Sequence, residues 1–127
     1  MERFLWICFA GALGTGARYL IGLWAVQRLG NSFPHATLIV NTIGCFLIAV
    51  VSQPALNMAS FSPTLRLALT VGFLGGLTTY SSFAYETTWL AQNGAMGAAF
   101  LNFGLTTLAC FAAVLLGLAL GQRLTSP

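Results

Sequence analysis

Four long apolar runs, punctuated by short clusters of Gly, Pro, Asn and Ser, fill most of this 127-residue chain. They read as Phe4–Val26, Ala36–Ser52, Leu65–Leu90 and Met96–Leu120. A helix needs about 17–25 largely apolar residues to cross the hydrocarbon of a bilayer. Each run meets that length, the second at the short limit and the third slightly long. Only 6% of the residues are charged, against about 25% in soluble domains, so a water-facing globule has too few charges to cover it. The expected fold is all-α: one domain over residues 1–127, made of four transmembrane helices. The net charge of +3 comes from scattered arginines, with no basic run to hold nucleic acid.

The connections carry ordinary breakers: Leu29 to Pro34, Gln53-Pro54, Ser62-Pro63 and Gln92-Asn93-Gly94. Trp6, Trp24 and Trp89 fall near span ends, where amphipathic rings favour the headgroup region. An even number of spans puts both termini on one side. Arg3 followed by Leu5–Ala10 imitates a signal peptide, but the apolar run continues through Tyr19–Val26, which a cleaved leader does not need. Cys8, Cys45 and Cys110 lie within spans without ligand spacing, and read as small apolar side chains.

Enzymatic motifs are missing. Gly14-Thr15-Gly16 lacks the third glycine and preceding strand of a dinucleotide site. One histidine, His35, sits beside Pro34 and reads as a solvated loop residue. With two carboxylates besides, Glu2 at the terminus and Glu86 in the third run, acid–base catalysis has little to work with, and the chain is not expected to be an enzyme.

Polar and small residues form stripes at helical spacing. Gly11, Gly14, Arg18 and Gly22 share a face of the first run. Thr37, Asn41 and Gly44/Cys45 do so in the second, and Asn102, Thr106, Cys110, Ala113 and Gly117 in the fourth. Small residues let helices approach closely, which accounts for most of the glycines. Asn41 has two open readings, interhelical packing or pore lining, because a buried amide must find partners. Arg18, the deepest cation, either satisfies backbone carbonyls at a broken helix or draws anions into a vestibule.

The third run contains the stretch GGLTTYSSFAYE, residues 75–86. The double glycine followed by Leu77-Thr78-Thr79 predicts local unwinding near mid-membrane. Loosened backbone at that depth is tolerated only where protein buries it or a cavity solvates it, and unwound carbonyls there are frequent cation ligands. Tyr80 and Phe83 share one face beyond the break, and Ser82 and Glu86 a neighbouring one. Aromatic edges carry partial positive charge. Carbonyls, hydroxyls and ring edges suit an ion path better than a catalytic centre.

On three segments the chain resembles the Fluc fluoride-channel family, also called CrcB. These are Gly14-Thr15-Gly16-Ala17-Arg18-Tyr19, Ala36 to Gly44 around Asn41, and Thr70 to Phe83 through the double glycine. The resemblance implies a fluoride-selective channel that exports the ion passively across the inner (plasma) membrane and relieves its toxicity. It implies an antiparallel, dual-topology homodimer with two pores. Backbone carbonyls of Gly75 and Thr78 from both subunits would hold one structural sodium ion at the centre. It also implies fluoride contacts at Asn41, Tyr80, Ser81, Ser82, Phe83, Asn102 and Thr106, and structural roles for Arg18 and Glu86. Tyr80 stands where the family has phenylalanine, Ser82 where it normally has threonine, and Cys110 where a hydroxyl is commoner.

Arg3, Arg66 and Arg123 fall on one side of the predicted spans and Arg28 on the other, a modest bias for a chain that inserts both ways. The alternative is a small dual-topology, proton-coupled exporter of cationic drugs. Such proteins rely on a first-span carboxylate, and none lies between Phe4 and Val26.

Overall fold

The computed structural model describes residues 1–57 and 62–125, and is helical nearly throughout. Helix α1 spans Glu2–Leu29 and α2 spans His35–Asn57. Helix α3 is built of an opening turn Pro63–Leu67, a wide π-helical stretch Ala68–Leu74 and a closing turn Gly75–Leu77. Helix α4 spans Tyr80–Gln92 and α5 spans Met96–Thr125. Taking α3 and α4 together, four helices among the described residues are long and apolar enough to cross a membrane.

Sequence and geometry agree on most boundaries. Proline opens α3 at its first position, where the missing N–H costs nothing. The chain leaves α1 through Gly30 at φ +81° and α4 through Gly94 at φ +79°, a conformation that glycine adopts without a Cβ penalty. Gln53-Pro54 closes the apolar span His35–Gln53 but does not end helix α2, whose backbone continues to Asn57. Nor is His35 a solvated loop residue. It is the first residue of α2, its ring meets Phe33 edge-on at 5.2 Å, and its Nδ1 is buried without a hydrogen-bond partner among the described residues.

Two parallel pairs make the bundle. α1 runs beside α3: a Cβ on Gly14 would land on the Phe73 carbonyl, and one on Gly76 would lie 2.5 Å from the Gly11 carbonyl oxygen. α2 runs beside α5: a Cβ on Gly117 would lie 2.5 Å from the Phe46 carbonyl and one on Gly121 2.9 Å from Gln53. At both seams backbones touch because there is no side chain between them, which is how helices pack where lipid removes the hydrophobic drive. Gly22 takes no part, since nothing lies within 4 Å of where its Cβ would be. A small core of Val40, Leu74 and Leu77 joins the pairs.

The break in the third span is real, but it is not at the double glycine. Gly75 is helical (φ −63°, ψ −37°), whereas Thr78 (ψ 157°) and Thr79 (φ −154°, ψ 107°) are extended. Gly76 serves the close approach of α1. The helix opens two residues later, where side chains offer the backbone other partners.

Candidate functional site

The junction between α3 and α4 is closed by side chains. The Asn41 Nδ2 donates to the Thr79 carbonyl at 3.0 Å, and the Thr79 N–H donates to Asn41 Oδ1 at 2.7 Å. Because both contacts are to backbone groups of known polarity, they fix which way the amide points. The Thr79 hydroxyl caps α4 by accepting from the Ser82 N–H at 3.1 Å, and donates to the Ser82 hydroxyl at 3.0 Å. The Ser81 hydroxyl lies 3.2 Å away.

This capping has a consequence for two carbonyls. In an unbroken helix each N–H bonds the carbonyl four residues earlier. The Thr79 N–H would then take Gly75, and the Ser82 N–H would take Thr78. Both N–H groups are engaged elsewhere, by Asn41 and by the Thr79 hydroxyl. The carbonyls of Gly75 and Thr78 thereby lose their helical donors. Both residues line a cleft of about 410 Å³, together with Asn41, Tyr80, Phe83 and Thr106.

In that cleft the Tyr80 and Phe83 rings sit 5.6 Å apart with planes inclined at 55°. Phe83 is 6% exposed and stacks on Phe103 at 6.1 Å, while Tyr80 is 78% exposed. Asn41 also lines the cleft, and its second Nδ2 proton is not needed by Thr79. Thr106 lines it too, but its hydroxyl proton goes to Asn102 Oδ1 at 3.2 Å.

Asn102, Ser81 and Ser82, three of the residues expected to contact fluoride, do not line this cleft. Asn102 is 0% exposed, and its Nδ2 donates to the Thr87 hydroxyl at 2.8 Å. That hydroxyl in turn donates to the Phe83 carbonyl at 2.7 Å. Asn102 is thus a joint between α4 and α5. Ser82 lines a separate cavity of about 300 Å³ with Arg18, Gly22, Thr37 and Thr79, and Ser81 is exposed. Arg18 lines that cavity beside Thr79 of the break and makes no hydrogen bond or ion pair among the described residues. Glu86 accepts from the Thr37 hydroxyl at 2.8 Å through Oε1, a tie between α4 and α2, while its Oε2 is buried without a partner among the described residues.

Sequence reasoning missed Thr79, Thr37 and Thr87 as working residues. A signal for Thr79 was present: a threonine three residues ahead of Ser82, just where α4 begins, is a common N-cap arrangement. The partners of Thr37 and Thr87 lie on other helices, and no local pattern names them.

Comparison with known proteins is consistent along the whole chain. Residues 5–118 match the family described as CrcB-like protein, Camphor Resistance (CrcB). A protein of Acidobacterium capsulatum named fluoride-specific ion channel FluC is 43% identical over 98% of this chain and 99% of its own length. One of the same name from Sorangium cellulosum is 44% identical over 98% of both chains. Another from Anaeromyxobacter dehalogenans is 47% identical over 89% of this chain and 90% of its own. The chain belongs to the CrcB family.

Proposed function

We propose that this member of the CrcB family is a fluoride-specific ion channel, one that works as an antiparallel homodimer around a structural sodium ion and lets fluoride leave the cell across the inner membrane. The observation that carries the reading is one cleft that collects an amide donor, a pair of ring edges and two backbone carbonyls without helical donors. Relatives across nearly the full length bear the name of a fluoride channel.

Fluoride is small and strongly hydrated, so a pore must replace water with other donors. Asn41 offers one N–H, held in a fixed direction by its double contact with Thr79. Phe83 offers a ring edge, pinned between Tyr80 and Phe103. Positive edges attract an anion without offering it a proton. Chloride is larger and gains less from each donor, so a narrow path disfavours it. No energy source is required: hydrogen fluoride enters neutral, dissociates at cytoplasmic pH, and the anion leaves down its electrochemical gradient.

A sodium ion fits the donor set. Hard cations prefer oxygen ligands, and broken helices commonly hold sodium through unwound carbonyls. Gly75 and Thr78 would supply two oxygens from one chain, and a second copy across a two-fold axis would supply the other two. When bound, the ion supplies positive charge that joins the subunits and offsets the carbonyl dipoles. Arg18, with no ion pair among the described residues, favours anions near the α1–α2 side.

Purified protein in vesicles loaded with potassium fluoride or potassium chloride, read by ion-selective electrodes, tests the proposal. Fluoride release alone is expected, in the absence of any proton gradient. Equal release of both ions, or release that requires a proton gradient, would sink it. Preparing the protein without sodium throughout should cost both flux and dimer. Unchanged flux and dimer content would leave the break as no more than a kink.

A further inference from the structure

We propose that the peptide group between Thr78 and Thr79 couples the cation site to the anion site, so that each ion strengthens the hold on the other. The inference rests on the channel reading above and deepens it. The Thr78 carbonyl is one of the two oxygens freed by the helix break, and the Thr79 N–H belongs to the same peptide plane. That N–H donates to Asn41 Oδ1 at 2.7 Å, and Asn41 Nδ2 donates back to the Thr79 carbonyl at 3.0 Å. An amide nitrogen carries two protons, so the second stays for the cleft that Asn41 lines. A continuous path runs from the Thr78 oxygen to that proton: one peptide, one hydrogen bond, one amide.

The peptide is held at both ends. The Thr78 N–H and hydroxyl both donate to the Leu74 carbonyl, at 3.0 and 2.9 Å. Thr79 is fixed by its cap on the Ser82 N–H at 3.1 Å. Asn41 and Thr79 are each 9% exposed, so water does little to screen what passes between them. With a cation at its oxygen, the Thr78–Thr79 peptide loses density from its nitrogen, and the Thr79 N–H becomes a stronger donor. Asn41 Oδ1 is then drawn on harder, and the Nδ2 protons become more positive toward an anion. With an anion at Nδ2, the same polarisation runs back and makes the Thr78 oxygen more negative. Linked hydrogen bonds strengthen one another by about 10–30% each, and coupling between two sites is equal in both directions. The Gly75 peptide leads to the glycine seam instead, because its far side is Gly76, packed on Gly11 and Thr15 of α1. Asn41 is thus a positioning residue for a cation held by other residues.

The test reads the dimer content of the full chain by size exclusion in detergent, as sodium replaces N-methylglucamine at fixed ionic strength. Chloride or fluoride is the accompanying anion. In the parent, fluoride should lower the sodium needed for half-maximal dimer by about fivefold or more, the lower end of couplings between sites. Asn41→Ala should abolish that anion effect and raise the sodium requirement in chloride. Thr37→Val, which breaks another side-chain bond of α2, should lose stability but keep the anion effect. Equal sodium requirements in the two anions for the parent, or an undiminished effect in Asn41→Ala, would overturn the coupling alone. A dimer indifferent to sodium would overturn the sodium reading and the coupling with it. A spectroscopic measurement on the unaltered chain decides even if a variant fails to fold. In isotope-labelled protein at saturating sodium, exchanging chloride for fluoride should move the Asn41 Nδ2 and Thr79 N–H proton resonances downfield. The Asn102 side-chain amide, bonded to Thr87, should stay in place. A shift at Asn41 without one at Thr79 would overturn the coupling and leave the fluoride contact standing. An equal shift at Asn102 would also overturn it, as the mark of a general rearrangement.

Discussion

The two sides of the third span are held by different physics. On the α1 side, α3 is packed by absence: Gly11, Gly14, Gly72 and Gly76 let backbones meet with nothing between them. On the α2 and α5 side, the span is held by side-chain hydrogen bonds: Asn41 with the Thr79 backbone, Thr37 with Glu86, and Asn102 with Thr87. The glycine seam is steric and indifferent to ions. The polar seam is directional, and its donors and acceptors are those an ion can share. The helix break lies on the polar seam because only there can a freed N–H find a partner.

The largest effect should come from filling the steric seam. Gly76→Val sets a branched side chain against the Gly11 carbonyl and the Thr15 N–H, at 2.5 and 3.0 Å from the added Cβ. Both are backbone atoms and cannot step aside. A cost of about 3 kcal/mol or more, the upper end of overpacking, should leave little folded protein on size exclusion. A folded variant of normal thermal stability would show that this seam is looser than described.

Next comes the polar seam at its centre. Asn41→Ala strips partners from the Thr79 N–H and carbonyl, both buried. Each unpaired group costs about 1–3 kcal/mol. The melting temperature should fall clearly and fluoride flux should be lost. Asn41→Asp keeps the acceptor for the Thr79 N–H but not the donor, and should fall between. If Asn41→Ala melts like the parent, the break holds itself open without the amide.

The third test separates flux from stability on the polar side. Phe83→Ile removes a ring edge while keeping an apolar side chain, and should abolish fluoride flux with a normal size-exclusion profile. Tyr80→Phe should keep most of the flux, since Tyr80 is largely exposed and the contact proposed for it is through the ring edge. A dead Tyr80→Phe would make the hydroxyl a primary fluoride contact. A conducting Phe83→Ile would remove ring edges from the account.

The smallest effect should come from a glycine that belongs to neither seam. Gly22 has nothing within 4 Å of its missing Cβ. Gly22→Ala should leave folding unchanged or raise stability by up to about 1 kcal/mol through helix propensity, read as a steady or slightly higher melting temperature. A marked loss would mean that the glycine stripe on α1 packs along its whole length.

Much of this was legible along the chain. Four apolar runs at membrane length dictate four spanning helices, because in lipid a backbone must satisfy its own hydrogen bonds and a helix does so within one segment. Glycine stripes foretold the close seams, and the polar stretch after the double glycine foretold an interruption. The position of that interruption was not legible. Glycine permits a helix to break but does not require it, and Gly75 and Gly76 stay helical under the approach of α1. The break falls at Thr78–Thr79 because Asn41, far away in sequence on α2, offers the Thr79 backbone a donor and an acceptor together. In the same way, periodicity put Asn102 on a polar face, but only the fold set Thr87 opposite it and tied the two together. Local pattern decides which segments are helical and which faces are small or polar. The identity of each polar group's partner is decided by which helices meet, and that is set by three-dimensional packing.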